Sequence, residues 1–361
     1  MKQKVAIVHD WLNGMRGGEK VLEQFLDLFP EADIFTLFLE EEKISDKIKN
    51  HKIFTSKLNR RSFVRNHYRY FLPLLPSAVE AFRLWDYDLV ISSSHCVAKG
   101  VIPAPAAPHF CYIHSPMRYI WDQFDQYFGN AGGVKRAVIR KQAEKLRLWD
   151  TVTAARVDHF IANSNFVKQR ISKYYRRDAA VIHPPVDVEL FQPASNPRRD
   201  FYLSVSAFVP YKNNHMLVEA FNRLKLPLVL VGKGPEDARL RKMAGDTITF
   251  RQNIPADELR ELYQNAAGFV YAGVEDFGIA FGEAQACGVP VIAPAKGGVL
   301  DIVADGETGV LYEGDTVDDL VDAVKRSRER SFAGDVIRTN SLRFSEETFK
   351  LKIKEFIDKR I

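Results

Sequence analysis

Short apolar runs of a few residues alternate with amphipathic stretches along the whole 361-residue chain. That rhythm constrains the fold more than any other feature. Val5-Ala6-Ile7-Val8 is apolar at consecutive positions, so a strand formed by it must be covered on both faces. After a glycine-containing loop, Val21, Leu22, Phe25, Leu26 and Phe29 fall on one helical face. Leu89-Val90-Ile91, Phe110-Cys111-Tyr112-Ile113 and His159-Phe160-Ile161-Ala162 read as further buried strands. A second series contains Phe201 to Val205, Leu228 to Val231, Ile248 to Phe250, Phe269 to Tyr271 and Pro290 to Ala293. Alternation of this kind predicts an α/β chain with parallel sheets covered on both faces, in two doubly wound domains.

The stretch from His183 to Asp200 carries four prolines and separates the two series. Proline resists both helix and central strand, so residues 186–200 read as a linker. The expected domains are 1–185 and 201–344, each near the usual 150 to 200 residues or slightly below. Residues 345–361 begin like a capped helix at Ser345-Glu346-Glu347 and are expected to pack back on the first domain. Doubly wound sheets bind ligands at their strand carboxyl ends, so the expected site is a cleft fed by loops of both halves.

No apolar run reaches the roughly 18 residues of a membrane-spanning helix. The apolar start is too short for a secretory signal. Cys96, Cys111 and Cys287 cannot all pair and none lies in a CxxC arrangement, which argues against a disulfide framework or zinc site and for a reducing cytoplasm. Charge is unevenly shared. Residues 1–180 hold 28 Lys and Arg against 19 Asp and Glu, a balance of +9, which leaves −4 for the remainder. Lys47 to Phe71 holds eight basic residues and no acid. Its aromatics and the neighbouring Leu72, Leu74 and Leu75 favour an anionic membrane surface over nucleic acid as partner of residues 47–76, although a solvated helix with one buried side fits the same letters. The expected location is cytoplasmic, peripheral on the inner face of the membrane.

The strongest local signal is Glu275-Asp276-Phe277-Gly278-Ile279-Ala280-Phe281-Gly282-Glu283. It follows a strand and opens a helix near Ile279. Gly278 permits a tight turn. Amides at the helix start suit a diphosphate. Glu275 and Glu283 can accept hydrogen bonds from vicinal hydroxyls of a sugar or ribose. Gly17-Gly18, between the first strand and first helix, allows close backbone approach to a phosphate or sugar, and is not a G-x-G-x-x-G dinucleotide turn. His114 stands at a strand's carboxyl end. Asp10, Ser94, His95, Lys99, Arg118 and Asn163 are placed similarly or close by and are candidates for the acceptor side.

The Glu275 to Glu283 segment resembles the E-x7-E motif of retaining glycosyltransferases of family 4, which have the GT-B architecture. Other stretches agree in order: Val205 to Lys212, Gly232-Lys233-Gly234-Pro235, Cys287 to Ala293, Gly297-Gly298, Asp305 to Gly309, and Gly17-Gly18-Glu19 in the first half. His114 to Asp122 resembles a stretch typical of bacterial mannosyltransferases using GDP-mannose. The resemblance implies that Glu275 and His114 meet the transferred sugar, that Glu283 binds the nucleotide ribose, and that Lys212 binds phosphate. Gly232, Lys233, Phe277, Gly278 and Ile279 would complete the donor site with Gly17 and Gly18. It further implies metal independence and same-face attack by the acceptor hydroxyl. No DxD pair stands in a metal-binding context, so neither metal nor cofactor is expected.

A fixed cation at Lys212 would stabilise the charge growing on a departing diphosphate. The chain departs from the family pattern at Ala207 and Asn213, where arginines are common. Arg241, Arg118 or the Gly17-Gly18 amides are the candidate replacements. The expected activity is hexose transfer, mannose from GDP-mannose, to a lipid-linked or polysaccharide acceptor. A UDP-sugar-dependent transferase, a nucleotide-sugar epimerase, a non-catalytic transferase partner and an NAD-dependent oxidoreductase are the alternatives.

Overall fold

Consecutive apolar positions do become buried strands. In the computed structural model, which describes residues 3–129 and 131–361, they form two sheets whose paired strands all run parallel. The first contains β1 (Val5–His9), β2 (Asp33–Thr36), β3 (Ile53–Thr55), β4 (Leu89–Ser94), β5 (His109–Ile113), β6 (His159–Ala162) and β7 (Ala180–Val181), in the order β3-β2-β1-β4-β5-β6-β7. The second contains β8 (Phe201–Val205), β9 (Leu228–Val231), β10 (Ile248–Arg251), β11 (Ala266–Val270), β12 (Val291–Pro294) and β13 (Gly309–Tyr312), in the order β10-β9-β8-β11-β12-β13. Strand order reverses between β1 and β4 in one sheet and between β8 and β11 in the other. Those are the points where a doubly wound sheet opens a crevice for ligands.

Two compact units result. One runs to Pro184 and includes Phe349–Ile361, and the other is Pro185–Thr348. In the first unit the strand alternation divides the core cleanly. Ala6, Val8 and Val90 join one cluster with Val64, Tyr68, Leu75, Ala143 and Leu146. Val5, Ile7, Leu89 and Ile91 join another with Val21, Leu22, Phe25 and Leu26 of the helix Gly17–Leu28. The last helix, Glu346–Asp358, adds Phe349, Ile353 and Ile357 to that second cluster. The Phe349 ring lies 5.7 Å from both Phe25 and Tyr112. Burying such a side chain is worth about 1.5 to 3 kcal/mol, enough to hold the chain's end in place.

The structure differs from the sequence reading in three places. β2, β3, β7 and β13 are strands that the apolar runs did not mark: β2, β3 and β13 are three or four residues long and include Asp33, Thr36, Thr55 or Gly309, and β7 is only two residues long. The stretch 186–200 is not a free linker. Prolines keep it out of helix and sheet, but Val186, Val188 and Phe191 are buried in the second unit's core. The Val186 N–H also donates to the Phe344 carbonyl at 2.8 Å. The basic block 47–76 is not one amphipathic element but β3 followed by short helical turns. Leu75 is fully buried, and Phe71 and Leu72 pack against the same core. Its exposed large residues are Phe63, Tyr70 and Leu74. Among the described residues no helix is long and apolar enough to cross a membrane.

Candidate functional site

The second unit gathers charge at its switch point. β8 ends at Val205 and leads through Ser206 to Lys212, while β11 ends at Val270 and leads to Glu275. Lys212 Nζ donates to Glu275 Oε1, and the Tyr271 hydroxyl donates to the same oxygen. The Lys212 ammonium also lies 5.0 Å from the Tyr211 ring centroid. Glycines make this approach possible. A Cβ on Gly273 would come within 2.9 Å of the Lys212 Cα. Gly298 N–H donates to the Glu275 carbonyl at 2.9 Å, which pins the backbone that carries the carboxylate.

Gly278 sits at φ +94°, immediately before the helix Ile279–Ala286. A side chain there would meet strain and the Phe281 ring, 2.4 Å from its Cβ. Glu283 lies in this helix, buried, and its Oε2 accepts from the Tyr263 hydroxyl at 3.0 Å. Gly232 and Gly234 press their turn onto the backbone of Ser206 and Phe208, where any Cβ would clash. The Phe208 N–H donates to the Lys233 carbonyl at 3.0 Å.

The first unit's switch point is lined by imidazoles instead. His9 ends β1, His95 follows β4 and His114 follows β5. Their ring centroids stand 6.1 to 6.4 Å apart. Burial pushes the His114 ring well below the usual histidine value, helped by the neighbouring His95 and His9. Burial also lowers His95, against the pull of Asp10. Gly17 and Gly18 open the helix beside them. A Cβ on Gly18 would lie 3.4 Å from His9 Cε1 and 3.8 Å from His114 Nε2. The loop therefore packs directly over this pair of rings.

Several sequence candidates turn inward. The Asp10 carboxylate accepts four backbone N–H groups, from His95, Cys96, Val97 and Ala98, at 2.7 to 2.8 Å. Its part is to fold the loop after β4, which presents His95, rather than to reach a ligand. Lys99 is 1% exposed and binds Asp150 Oδ1 at 3.0 Å and Thr153 Oγ1 at 2.8 Å. It belongs to the core, not to an acceptor surface. The Ser94 hydroxyl accepts the Lys99 N–H at 3.3 Å. The Asn163 amide donates to the His114 carbonyl at 2.9 Å and so supports that loop.

In the second unit Phe277 is buried, with its ring against Phe344 at 5.4 Å, so only its backbone is available to a ligand. Ile279 is half-buried at the helix start. Lys233 is exposed and donates to Asn253 Oδ1 at 3.0 Å. Arg241, a candidate second cation, is instead bonded to Asp237 at 2.9 Å and stacked on Phe250. Arg118 is half-buried near His95, whose ring it disfavours from charging. Asn213 adopts φ +54°, a left-handed turn that asparagine tolerates well. Sequence reasoning did not single out His9, Ser93 or Tyr263. His9 was findable, since it closes the first strand at its carboxyl end. Tyr263 carries no such mark. Among the described residues no group of three or more His, Cys, Asp or Glu is placed to hold a metal ion.

Two family models divide the chain between them. Residues 27–190 match Glycosyltransferase Family 4, and residues 185–331 match Glycosyl transferases group 1. Sucrose-phosphate synthase from Thermosynechococcus elongatus superposes over 99% of each chain with TM-score 0.75 and 19% identity. The chain is a GT-B fold member of the glycosyltransferase superfamily. An Anabaena protein solved with UDP and glucose shares this GT-B fold, with TM-score 0.70 and 16% identity over 99% of this chain and 100% of that one. The GDP-mannose-dependent alpha-(1-6)-phosphatidylinositol monomannoside mannosyltransferase of Mycolicibacterium smegmatis is 33% identical over 192 residues, 45% of this chain and 50% of that protein. The chain spans about half the length of the curated relatives it matches.

Proposed function

We propose that this GT-B chain transfers a hexose from a nucleotide-sugar donor to an acceptor hydroxyl, with the donor held by the second unit. The observation that carries this is the Lys212–Glu275–Tyr271 cluster at the β8/β11 switch point. A diphosphate leaving group gains negative charge as the glycosidic bond breaks. Lys212, aided by amides at the start of Ile279–Ala286, stabilises that charge. Glu275 meets the transferred sugar, and Glu283 the ribose. On the first unit, His114 offers a neutral ring nitrogen to a sugar hydroxyl. The acceptor hydroxyl attacks from the face the diphosphate leaves, so the configuration is retained.

The proposed donor is GDP-mannose and the proposed acceptor a lipid-linked sugar or polysaccharide, a reading supported by the name of the mycobacterial relative. A UDP-sugar is the alternative, favoured by the Anabaena chain. A thermal-shift panel of GDP, UDP and ADP with their sugar conjugates separates the two, because a ligand bound only by the folded state raises its stability. If none of these nucleotides raised it, the proposal would fail. With the donor known, Glu275→Gln should reduce transfer far more than it weakens nucleotide binding. Equal losses would remove Glu275 from the reaction. Turnover of the donor alone to an isomer would reveal an epimerase.

The acceptor side is proposed to work at an anionic membrane surface. Tyr70 is 79% and Phe63 66% exposed among Lys57, Arg60, Arg61 and Arg69. The helix Gly133–Thr153 exposes a ridge of Val134, Val138, Lys141, Lys145, Leu148 and Val152. Both segments are anchored in one core cluster, through Val64 and Tyr68 in the first and Ala143 and Leu146 in the second. Each basic residue near such a surface contributes roughly 1 kcal/mol. The chain should sediment with vesicles rich in anionic lipid at low salt and be released by high salt. Absence of sedimentation at low salt would sink the membrane proposal.

A further inference from the structure

Three side chains, Glu19, His9 and Ser93, connect the glycine loop of the first unit to His114. Glu19 is buried in the first turn of the helix Gly17–Leu28. Its Oε2 accepts the Arg16 N–H at 2.9 Å, and its Oε1 lies 3.8 Å from His9 Nε2. On the opposite side of that ring, His9 Nδ1 is 3.1 Å from Ser93 Oγ. The same hydroxyl oxygen is 2.7 Å from His114 Nε2. The His9 side chain is wholly shielded from solvent and that of Glu19 is 5% exposed.

We infer that Glu19, His9 and Ser93 are positioning residues that decide which ring nitrogen of His114 carries its proton. The inference rests on the reading of His114 as a sugar contact. A serine hydroxyl has one proton to donate, so it links two imidazoles with a direction. When His9 carries a proton only on Nε2, facing Glu19, its bare Nδ1 accepts from Ser93. The Ser93 oxygen then accepts from His114 Nε2–H, and His114 Nδ1 is left as an acceptor for a sugar hydroxyl. When His9 carries both protons, Nδ1–H donates to Ser93, whose own proton turns to His114 Nε2. The single proton of His114 then resides on Nδ1, which becomes a donor. His114 is neutral in both states; the extra proton comes from solvent and stays on His9.

The surroundings favour such a control. Burial acts to raise the Glu19 carboxyl, but the His9 ring 3.8 Å away, with a backbone N–H, outweighs it and holds Glu19 below the usual carboxylate value. An ionised Glu19 is therefore the partner of His9. The other groups near His9 are His114 and His95, the latter held by Asp10 at 3.2 Å and influenced by Arg118. A Cβ on Gly18 would stand in van der Waals contact with both rings, so the loop carrying Glu19 packs directly against them.

The test reads the ring nitrogens directly. The full chain, labelled with nitrogen-15 in its histidines, is followed by long-range proton–nitrogen correlation from pH 5.5 to 8.5, with the His114 signals assigned by their loss in His114→Gln. The His114 nitrogens should keep neutral-type shifts, and their roles should follow the protonation state read from the His9 nitrogens. In Ser93→Ala the link between the two rings should vanish, and Ser93→Thr should restore it. Glu19→Gln, which removes the charge facing His9 Nε2, should change the His9 and His114 signals together. In transfer assays Ser93→Ala should lower kcat by roughly 10- to 100-fold, the size seen when an outer partner that sets a histidine's tautomer is removed, with the donor KM little changed. A His114 tautomer that ignores the state of His9, or that is unaffected by Ser93→Ala, overturns the inference. Intact coupling in a chain where neither Ser93→Ala nor His114→Gln alters kcat instead overturns the sugar-contact reading on which it rests.

Discussion

The two switch points share a backbone plan and differ in their electrostatics. In the second unit the loops after β8 and β11 bring a lysine and a glutamate together as a charged pair. In the first unit the end of β1 and the loops after β4 and β5 bring three histidines together, with His95 and His114 held towards neutrality by burial. Its nearby carboxylates are committed to the protein, Asp10 to four amides and Glu19 to the helix start. A parallel sheet thus provides a place for function without choosing its chemistry. The charged pair suits a phosphate leaving group, and the neutral rings suit hydroxyls, which need a donor or acceptor rather than a full charge.

This contrast can be broken experimentally. The largest effect on catalysis should come from the charged side. Lys212→Ala should reduce transfer by about 10²- to 10³-fold, the scale of losing one preorganised group at a developing anion. Single-turnover rates check it, and a loss below tenfold would mean that the second unit's charge is not what drives departure. The largest effect on stability should come from the buried ion pair of the first unit. Lys99→Met leaves Asp150 without its cation, although Trp121 and Tyr175 still donate to that carboxylate at 2.8 and 3.0 Å. An uncompensated buried charge costs about 3 to 5 kcal/mol. All four tryptophans, Trp11, Trp85, Trp121 and Trp149, belong to the first unit, so their emission follows that unit during denaturation.

Acid should also separate the units. Burial lowers His109 from 6.5 to about 4 and lowers His95 and His114 as well. A group whose folded value is depressed gives its full stability above its unfolded value and loses it as pH falls towards the folded one. The first unit should therefore weaken progressively from pH 6.5 to about 4, with the tryptophan signal shifting to lower denaturant. A tryptophan transition independent of pH over that range would contradict the burial of these rings. The smallest effect is expected at Gly278→Ala, about 1 to 3 kcal/mol from left-handed strain and contact with Phe281. Amide exchange in Ile279–Ala286 should report it while tryptophan emission does not.

Much of the fold was legible because strand burial is written into consecutive residues. Val5 to Val8 and Phe110 to Ile113 admit no solvent-facing alternative. β3 was not legible, since Ile53 and Phe54 lie in a basic stretch whose charge outweighs two apolar positions. The Glu275 to Glu283 segment could be read because its glycine, helix start and acids occupy one short stretch. Lys99 could not, since its partner Asp150 lies 51 residues away and the sequence gives no sign of their meeting.

The sequence alone determined the α/β class, the two series of strands, and the strand-end positions of Lys212, Glu275 and His114. These depend on local pattern, and local pattern is set by chain geometry. Tertiary structure decided which polar side chains are consumed and which are presented. Asp10 and Lys99 are drawn inward because buried amides and a buried carboxylate must be satisfied. His9, Ser93 and Glu19 become neighbours only because β1 pairs with β4 and the helix after β1 folds back over them. No spacing in the sequence encodes that meeting, since it is made by strand order.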